Sequence, residues 1–111
     1  IRSGLPMTER ATAATWLGLL RQDAGDADGA RAFYRAATEA NPQAAAAWIN
    51  WGVLEGQTEN WVESERLLRR AVELQPGGAK GWINLATCLE RQGRRAEAEQ
   101  AAARAEALRV P

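Results

Sequence analysis

Two asparagines, Asn50 and Asn84, stand in near-copies of one hexapeptide, Ala47-Trp48-Ile49-Asn50-Trp51-Gly52 and Gly81-Trp82-Ile83-Asn84-Leu85-Ala86. A primary amide offers both a donor and an acceptor, the complement of a peptide unit's C=O and N–H. A ladder of such amides can hold a polypeptide backbone without reading its side chains. The rest of the composition favours the same chemistry, holding rather than reacting. There is no histidine, which removes the commonest general base and the commonest metal ligand. Cys88 is the sole cysteine, so no intramolecular disulfide and no thiolate cluster can form. Lacking a histidine partner and lying in an apolar helical pattern, it reads as a small core residue. The expectation is a non-enzymatic chain with no catalytic residues, no cofactor and no metal.

The chain has 111 residues, the size of one domain, and its 14 Lys and Arg balance 14 Asp and Glu. No overall field draws it to nucleic acid or to an anionic membrane. No apolar run approaches the roughly 20 residues that span a bilayer, and no signal-peptide pattern opens the chain. Membrane insertion is therefore not expected, and the cytoplasm is the favoured compartment. The chain begins at Ile1 rather than a methionine, so residues 1–10 read as an extension or linker, with Met7 a candidate native start. Arginine far exceeds lysine (Lys80 is the only one) and alanine is abundant, the residue usage of a high-GC bacterial source.

The asparagines are positioned by a repeat. Trp48 and Trp82 are 34 residues apart (82 − 48), and the same offset links Pro42 to Pro76, Gly18 to Gly52 to Ala86, Ala30 to Ser64 to Ala98, and Ala37 to Ala71 to Ala105. Gly25, Glu59 and Gly93 form one more row. Each unit reads as two helices. Prolines close the units, and Asp26, Asn60 and Gly93 mark the turns inside them. The spacing predicts helices over 9–24, 28–40, 45–57, 61–74, 79–91 and 95–108, filled with Ala, Leu, Glu, Gln and Arg. Asn60 with Glu63 has the spacing of a capping box. The small rows should let paired helices approach closely, and Leu17/Trp51/Leu85 and Tyr34/Leu68 should fill the space beside them. Trp48 and Trp82 read as core anchors, each burying up to about 150–250 Å².

This 34-residue pattern of Trp, Leu-Gly, Ala, an aromatic or Leu, Ala and Pro resembles the tetratricopeptide repeat (TPR). The middle unit matches best, through Trp48, Trp51-Gly52, Ser64, Leu68, Ala71 and Pro76. The first departs at Ala14, and the third at Ala102 and at Pro111, one place late. The resemblance implies an all-α fold, a right-handed α-solenoid of three helix–turn–helix units with six to seven helices. It covers residues 11–111, with repeats at about 11–44, 45–78 and 79–111. It also implies a protein-interaction module whose first helices line a concave groove.

Turning Trp48, Trp51, Gly52 and Glu55 to the core leaves Ala46, Ile49, Asn50, Val53, Gly56 and Gln57 on the groove. The candidate peptide-binding residues are Trp16, Leu19, Ile49, Asn50, Val53, Lys80, Ile83, Asn84 and Arg91. Ile49 and Ile83 are equally readable as filling between adjacent first helices. Asn50 and Asn84 resemble the asparagine ladder in the TPR superhelix of O-GlcNAc transferase, and bonding within or between helices is an equal alternative. Of the carboxylate clamp of TPR co-chaperones only Asn50 and Lys80 carry over; Thr15, Leu19 and Asn84 depart from it. The partner is thus an unidentified protein or peptide. A second reading is a structural assembly element, a homodimer or a subunit of a larger complex packing through its uncapped terminal helices, most simply a homo-oligomer through the C-terminal helix with Ala98, Ala101, Ala102 and Ala105 turned outward.

Overall fold

The computed structural model describes residues 6–108. Six α-helices follow one another with no strand among the described residues: α1 (Met7–Asp23), α2 (Ala27–Ala40), α3 (Ala45–Gln57), α4 (Trp61–Leu74), α5 (Ala79–Arg91) and α6 (Arg95–Ala107). They pair as α1/α2, α3/α4 and α5/α6, and the pairs stack into an all-α solenoid of 52 × 32 × 21 Å. The predicted elements are all present, with ends within two residues. Residues 7–10, read as extension, belong to α1. Pro111, the late proline of the third unit, lies outside the described residues.

One motif closes all three hairpins. After α1, Asp26 N–H donates to Arg21 C=O (2.8 Å) and Gly25 N–H to Gln22 C=O (3.0 Å), the two bonds of a Schellman turn. Asn60 to Glu55 with Glu59 to Gly56, and Arg94 to Leu89 with Gly93 to Glu90, repeat it. The motif needs a left-handed residue, and Gly25 (φ 82°) and Gly93 (φ 79°) supply it freely. The middle turn uses Glu59 at φ 64°. A Cβ in that region is crowded by its own carbonyl. Asp26 then caps α2 by accepting from Gly29 N–H (2.8 Å). The capping box expected at Asn60 does not form. Its amide turns back to the Glu55 carboxylate (2.9 Å), and Glu63 is taken by Arg66.

Within each pair the small residues set the distance. A Cβ on Gly18 would sit 2.5 Å from the Tyr34 ring, and one on Gly52 2.7 Å from Leu68 Cγ. Ser64 uses the same closeness to donate to Gly52 C=O at 2.7 Å. Between pairs the turns are braced by indoles. Trp48 Nε1 donates to Pro42 C=O (3.0 Å) and Trp82 Nε1 to Pro76 C=O (2.9 Å), which is why the Trp and Pro rows recur together. Both rings are only partly buried, contrary to the expectation of core anchors. Each lies at a junction, Trp48 stacked on Trp51 (6.0 Å) and Trp82 under the Arg104 guanidinium (5.0 Å). The buried aromatic of that hexapeptide is Trp51, and Cys88 is a core residue as expected.

A buried carboxylate locks the first stack. Glu55, 3 % exposed, accepts from Arg31 on α2 (2.6 Å), from Trp51 Nε1 (3.0 Å) and from Asn60 (2.9 Å). Burial alone would push its carboxyl up, but the hydrogen bonds from Arg31, Asn60 and Trp51 outweigh that and hold it below the ordinary 4.5. Glu65 does the same for the second stack, accepting from Gln92 (3.0 Å) and Arg94 (2.6 Å), and is likewise held low against its own burial.

Two predictions follow from these turns and keys. Replacing Glu59→Gly relieves the left-handed strain and should raise stability by about 1 kcal/mol in urea unfolding; a loss of stability would show that the turn is unstrained. Glu55→Gln should cost about 2 kcal/mol at neutral pH, the worth of hydrogen bonds to a charged group. A depressed carboxyl stabilises fully above its unfolded pKa and loses that contribution as pH falls through its folded pKa. The gap between wild type and Glu55→Gln should therefore close on acidification below about pH 4.5; a gap independent of pH would show that Glu55 acts only by packing.

Candidate functional site

The first helices α1, α3 and α5 lie side by side and share one face. Two clefts open on it. The larger, about 660 Å³, lies between α1 and α3 and is lined by Thr12, Thr15, Trp16, Leu19, Ala46 and Asn50. No charged side chain lines it. The smaller, about 340 Å³, lies between α3 and α5 and is lined by Val53, Gln57, Trp61, Asn84, Thr87 and Arg91 among others.

The structure therefore brings Trp16, Leu19 and Asn50 to one cleft, and Val53, Asn84 and Arg91 to the other. Trp16 is 62 % exposed, an indole standing in solvent at the cleft rim. Leu19 is half-buried against the Tyr34–Trp51 cluster and forms cleft floor. The Asn50 amide is half-buried and makes no hydrogen bond to any described residue. Asn84 differs, because its Nδ2 donates to Lys80 C=O within its own helix (2.9 Å), leaving Oδ1 for outside. Lys80 and Ile83 are exposed and line neither cleft.

Ile49 is a correction. It is 7 % exposed and sits in the core, its Cδ1 3.8 Å from where a Gly81 Cβ would be. The glycine lets α5 close on α4, where its would-be Cβ is 3.0 Å from Val72 Cγ1, and Ile49 packs beside them in the same core cluster. Gly56, expected on the groove, is buried and lines the smaller cleft, with Trp61 3.0 Å from its would-be Cβ. Trp61 had no sequence signal: the matching residues are Ala27 and Arg95, so no row marks it. Its ring floors the smaller cleft and carries the Arg91 guanidinium 5.5 Å above it, a cation–π contact that fixes the only cation there.

The face is tied to the core by a relay. Tyr34 Oη donates to Gln22 Oε1 (2.6 Å), and Gln22 Nε2 donates to Gln57 Oε1 (2.7 Å), so α2, α1 and α3 are joined along one line. Burial, then the Asp23 charge, pushes the Tyr34 hydroxyl up to about 12, so this donor stays protonated at all physiological pH. Thr15 cannot serve a ligand with the same freedom, since its hydroxyl donates to Ala11 C=O at 2.7 Å.

The C-terminal helix is not the open face the composition suggested. Ala98, Ala101 and Ala105 are at most 7 % exposed and pack inward, leaving Ala102 outside. Glutamates at 101 and 105 would therefore unfold the chain instead of separating subunits. No described helix is long and apolar enough to cross a membrane.

The model of the tetratricopeptide repeat family matches residues 15–79 and again 49–109. No curated protein matches the sequence. Among solved structures, the second TPR of Spaghetti (RPAP3) bound to HSP90 peptide SRMEEVD superposes with a TM-score of 0.87 at 19 % identity, over 92 % of this chain and 94 % of that one. The N-terminal domain of stress-induced protein-1 from C. elegans gives 0.85 at 20 % identity, over 95 % and 88 %. Thermobaculum terrenum O-GlcNAc transferase (a K341M mutant) gives 0.86 at 25 % identity, over 96 % of this chain and 21 % of that one.

Proposed function

Because the chain belongs to the tetratricopeptide-repeat family, we propose that it is a protein-interaction module that seats an extended, uncharged segment of a partner along α1, α3 and α5. The observation that carries this reading is the free Asn50 amide in a cleft without charge, flanked by Trp16 and Leu19. An amide pairs with one peptide unit, the indole and the leucine cover apolar side chains, and the segment runs on toward Val53, Asn84 and Arg91. The cleft is braced by the Tyr34–Gln22–Gln57 relay, so little ordering is left to occur on binding.

This reading separates the chain from the structural neighbours bound to the acidic HSP90 peptide SRMEEVD. Here the larger cleft carries no cation, and Lys80 stands outside both clefts. An acidic C-terminal tail therefore has no counter-charge at the principal seat. A carboxylate on the ligand belongs at the far end, near Arg91, where salt weakens it.

Peptides selected from a random display library against the whole chain provide the test. The selected segments should be poor in acidic residues, and SRMEEVD should bind no better than its scrambled form. Asn50→Ala should weaken the best binder by about 1–3 kcal/mol, roughly five- to a hundredfold, for two lost hydrogen bonds. Asn84→Ala should do less, since half of that amide is already used. Unchanged melting with weakened binding supports the proposal. A sharp fall in melting would make the Asn50 amide structural, and unchanged affinity would put the ligand elsewhere.

A further inference from the structure

The smaller cleft goes deeper than a backbone laid across the first helices would reach. Between α3 and α5 it passes Gly52 and Gly56, which carry no side chain to close it, and it ends on Ser64 and Leu68 of α4. Its volume of about 340 Å³ is at the small end of ligand-sized clefts, roughly 300–1,000 Å³. Its polar groups are sorted by the protons they have already spent. Ser64 Oγ donates to Gly52 C=O (2.7 Å), Thr87 Oγ1 to Ile83 C=O (3.2 Å) and Asn84 Nδ2 to Lys80 C=O (2.9 Å). A hydroxyl has one proton, so Ser64 and Thr87 are left with lone pairs, and Asn84 has its Oδ1 unspent. The Cys88 thiol is committed too, to Trp61 C=O at 3.1 Å. The Glu59 carboxylate adds acceptors. Two groups offer donors instead. Tyr34 Oη gives its proton to Gln22 Oε1, which turns Gln22 Nε2 to Gln57 Oε1 (2.7 Å). The Gln57 Nε2 hydrogens are then without a described partner. The Arg91 guanidinium, stacked on Trp61, makes no hydrogen bond to any described residue, so its N–H edge is open as well.

We infer that this cleft reads a carboxamide side chain, a glutamine or asparagine of the seated segment. The inference rests on the peptide-binding proposal and names the residue class that enters its second cleft. A primary amide brings one acceptor group and two donors together in a single plane. Its C=O accepts from Gln57 Nε2 and the Arg91 edge, its two N–H groups go to Asn84 Oδ1 and Thr87 Oγ1, and its plane lies against the Trp61 indole. Each competitor leaves something unpaired. A carboxylate satisfies Arg91 and Gln57 but sets its lone pairs against those of Asn84 and Thr87, and its charge beside Glu59. A lysine or arginine offers Gln57 no acceptor and places a second cation beside Arg91. An aliphatic side chain takes all four polar groups out of water and pairs none of them, the costly case for a site built on hydrogen bonds. A peptide unit has one N–H where the cleft shows two facing acceptors. The relay from Tyr34 is therefore also a specificity device, because it fixes which end of the Gln57 amide is free for the ligand.

The probe is a random peptide display library, selected separately against the whole chain and against its Gln57→Glu variant. The substituted carboxylate still accepts from Gln22 Nε2, so the relay and the thermal midpoint should be retained, while the donor offered to the cleft becomes an acceptor. Wild-type selections should share Gln or Asn at one fixed position. Replacing that residue by Glu in the best binder should weaken binding about tenfold or more in titration calorimetry. Selections against Gln57→Glu should keep the rest of the motif and carry Lys or Arg at that position. Asn50→Ala should weaken every binder without changing the preference there, since Asn50 lines the other cleft. The inference is overturned by a motif with no carboxamide position, by a preference for Asp or Glu at it, or by a preference that Gln57→Glu does not move. In each of those cases a loss of affinity with Asn50→Ala leaves the peptide-binding proposal standing. A carboxamide position that persists while Asn50→Ala has no effect supports the inference and overturns the reading of the larger cleft. A library that yields no binder overturns both.

Discussion

The distance between paired helices governs this structure. Gly18 and Gly52 stand where a single methyl group would overlap Tyr34 or Leu68, so the helix axes lie closer than ordinary side chains permit. That closeness lets Ser64 reach the Gly52 carbonyl and lets a Schellman turn span the gap between helices. It also leaves each hairpin thin. A thin hairpin has two apolar faces and can bury only one of them by itself, so it must stack. Every later feature, including both clefts and both ends, is a consequence of how the stacking is completed.

The two stacks are completed by different means. The first joins alanines, Ala11, Ala37 and Ala47, to the aromatic cluster of Tyr34 and Trp51, and is keyed by Arg31 against the buried Glu55. The second is richer in Leu, Ile and Val and is keyed by Glu65 against Arg94 and Gln92. Arg31 and Glu65 occupy the same row of the repeat with opposite charge. A slipped or exchanged pairing would set a buried carboxylate without its guanidinium, which is expensive in a low-dielectric site. The polar keys thus distinguish one interface from the next, because removing one partner strands the other in a buried site.

The candidate face inherits its properties from that packing. Ile49 is buried in the core cluster and lines neither cleft, so the apolar stripe that its row suggests is interrupted there. The absence of charge around Asn50, against Glu59 and the Arg91 cation held over Trp61 in the smaller cleft, gives the face a direction, uncharged toward α1 and charged toward the end of α5.

The period, the six helices, the close-approach rows and the recurring row at 25, 59 and 93 were all legible in the sequence, because each depends on a residue's place within its own hairpin. What escaped it depends on the neighbour. Ile49 and Ile83 are the same residue in the same row, yet one is buried and the other 53 % exposed, since a further first helix covers only the former. Asn50 and Asn84 share a row as well, but only Asn84 bonds within its own helix. Trp61 matched no row and became cleft floor through contacts with Gly56 and Arg91, and the alanines of α6 turned inward because α5 lay beside them. A helical repeat fixes the direction in which each side chain points. Whether that direction ends in protein or in water is decided by the tertiary stack, since exposure depends on atoms contributed by residues thirty or more positions away.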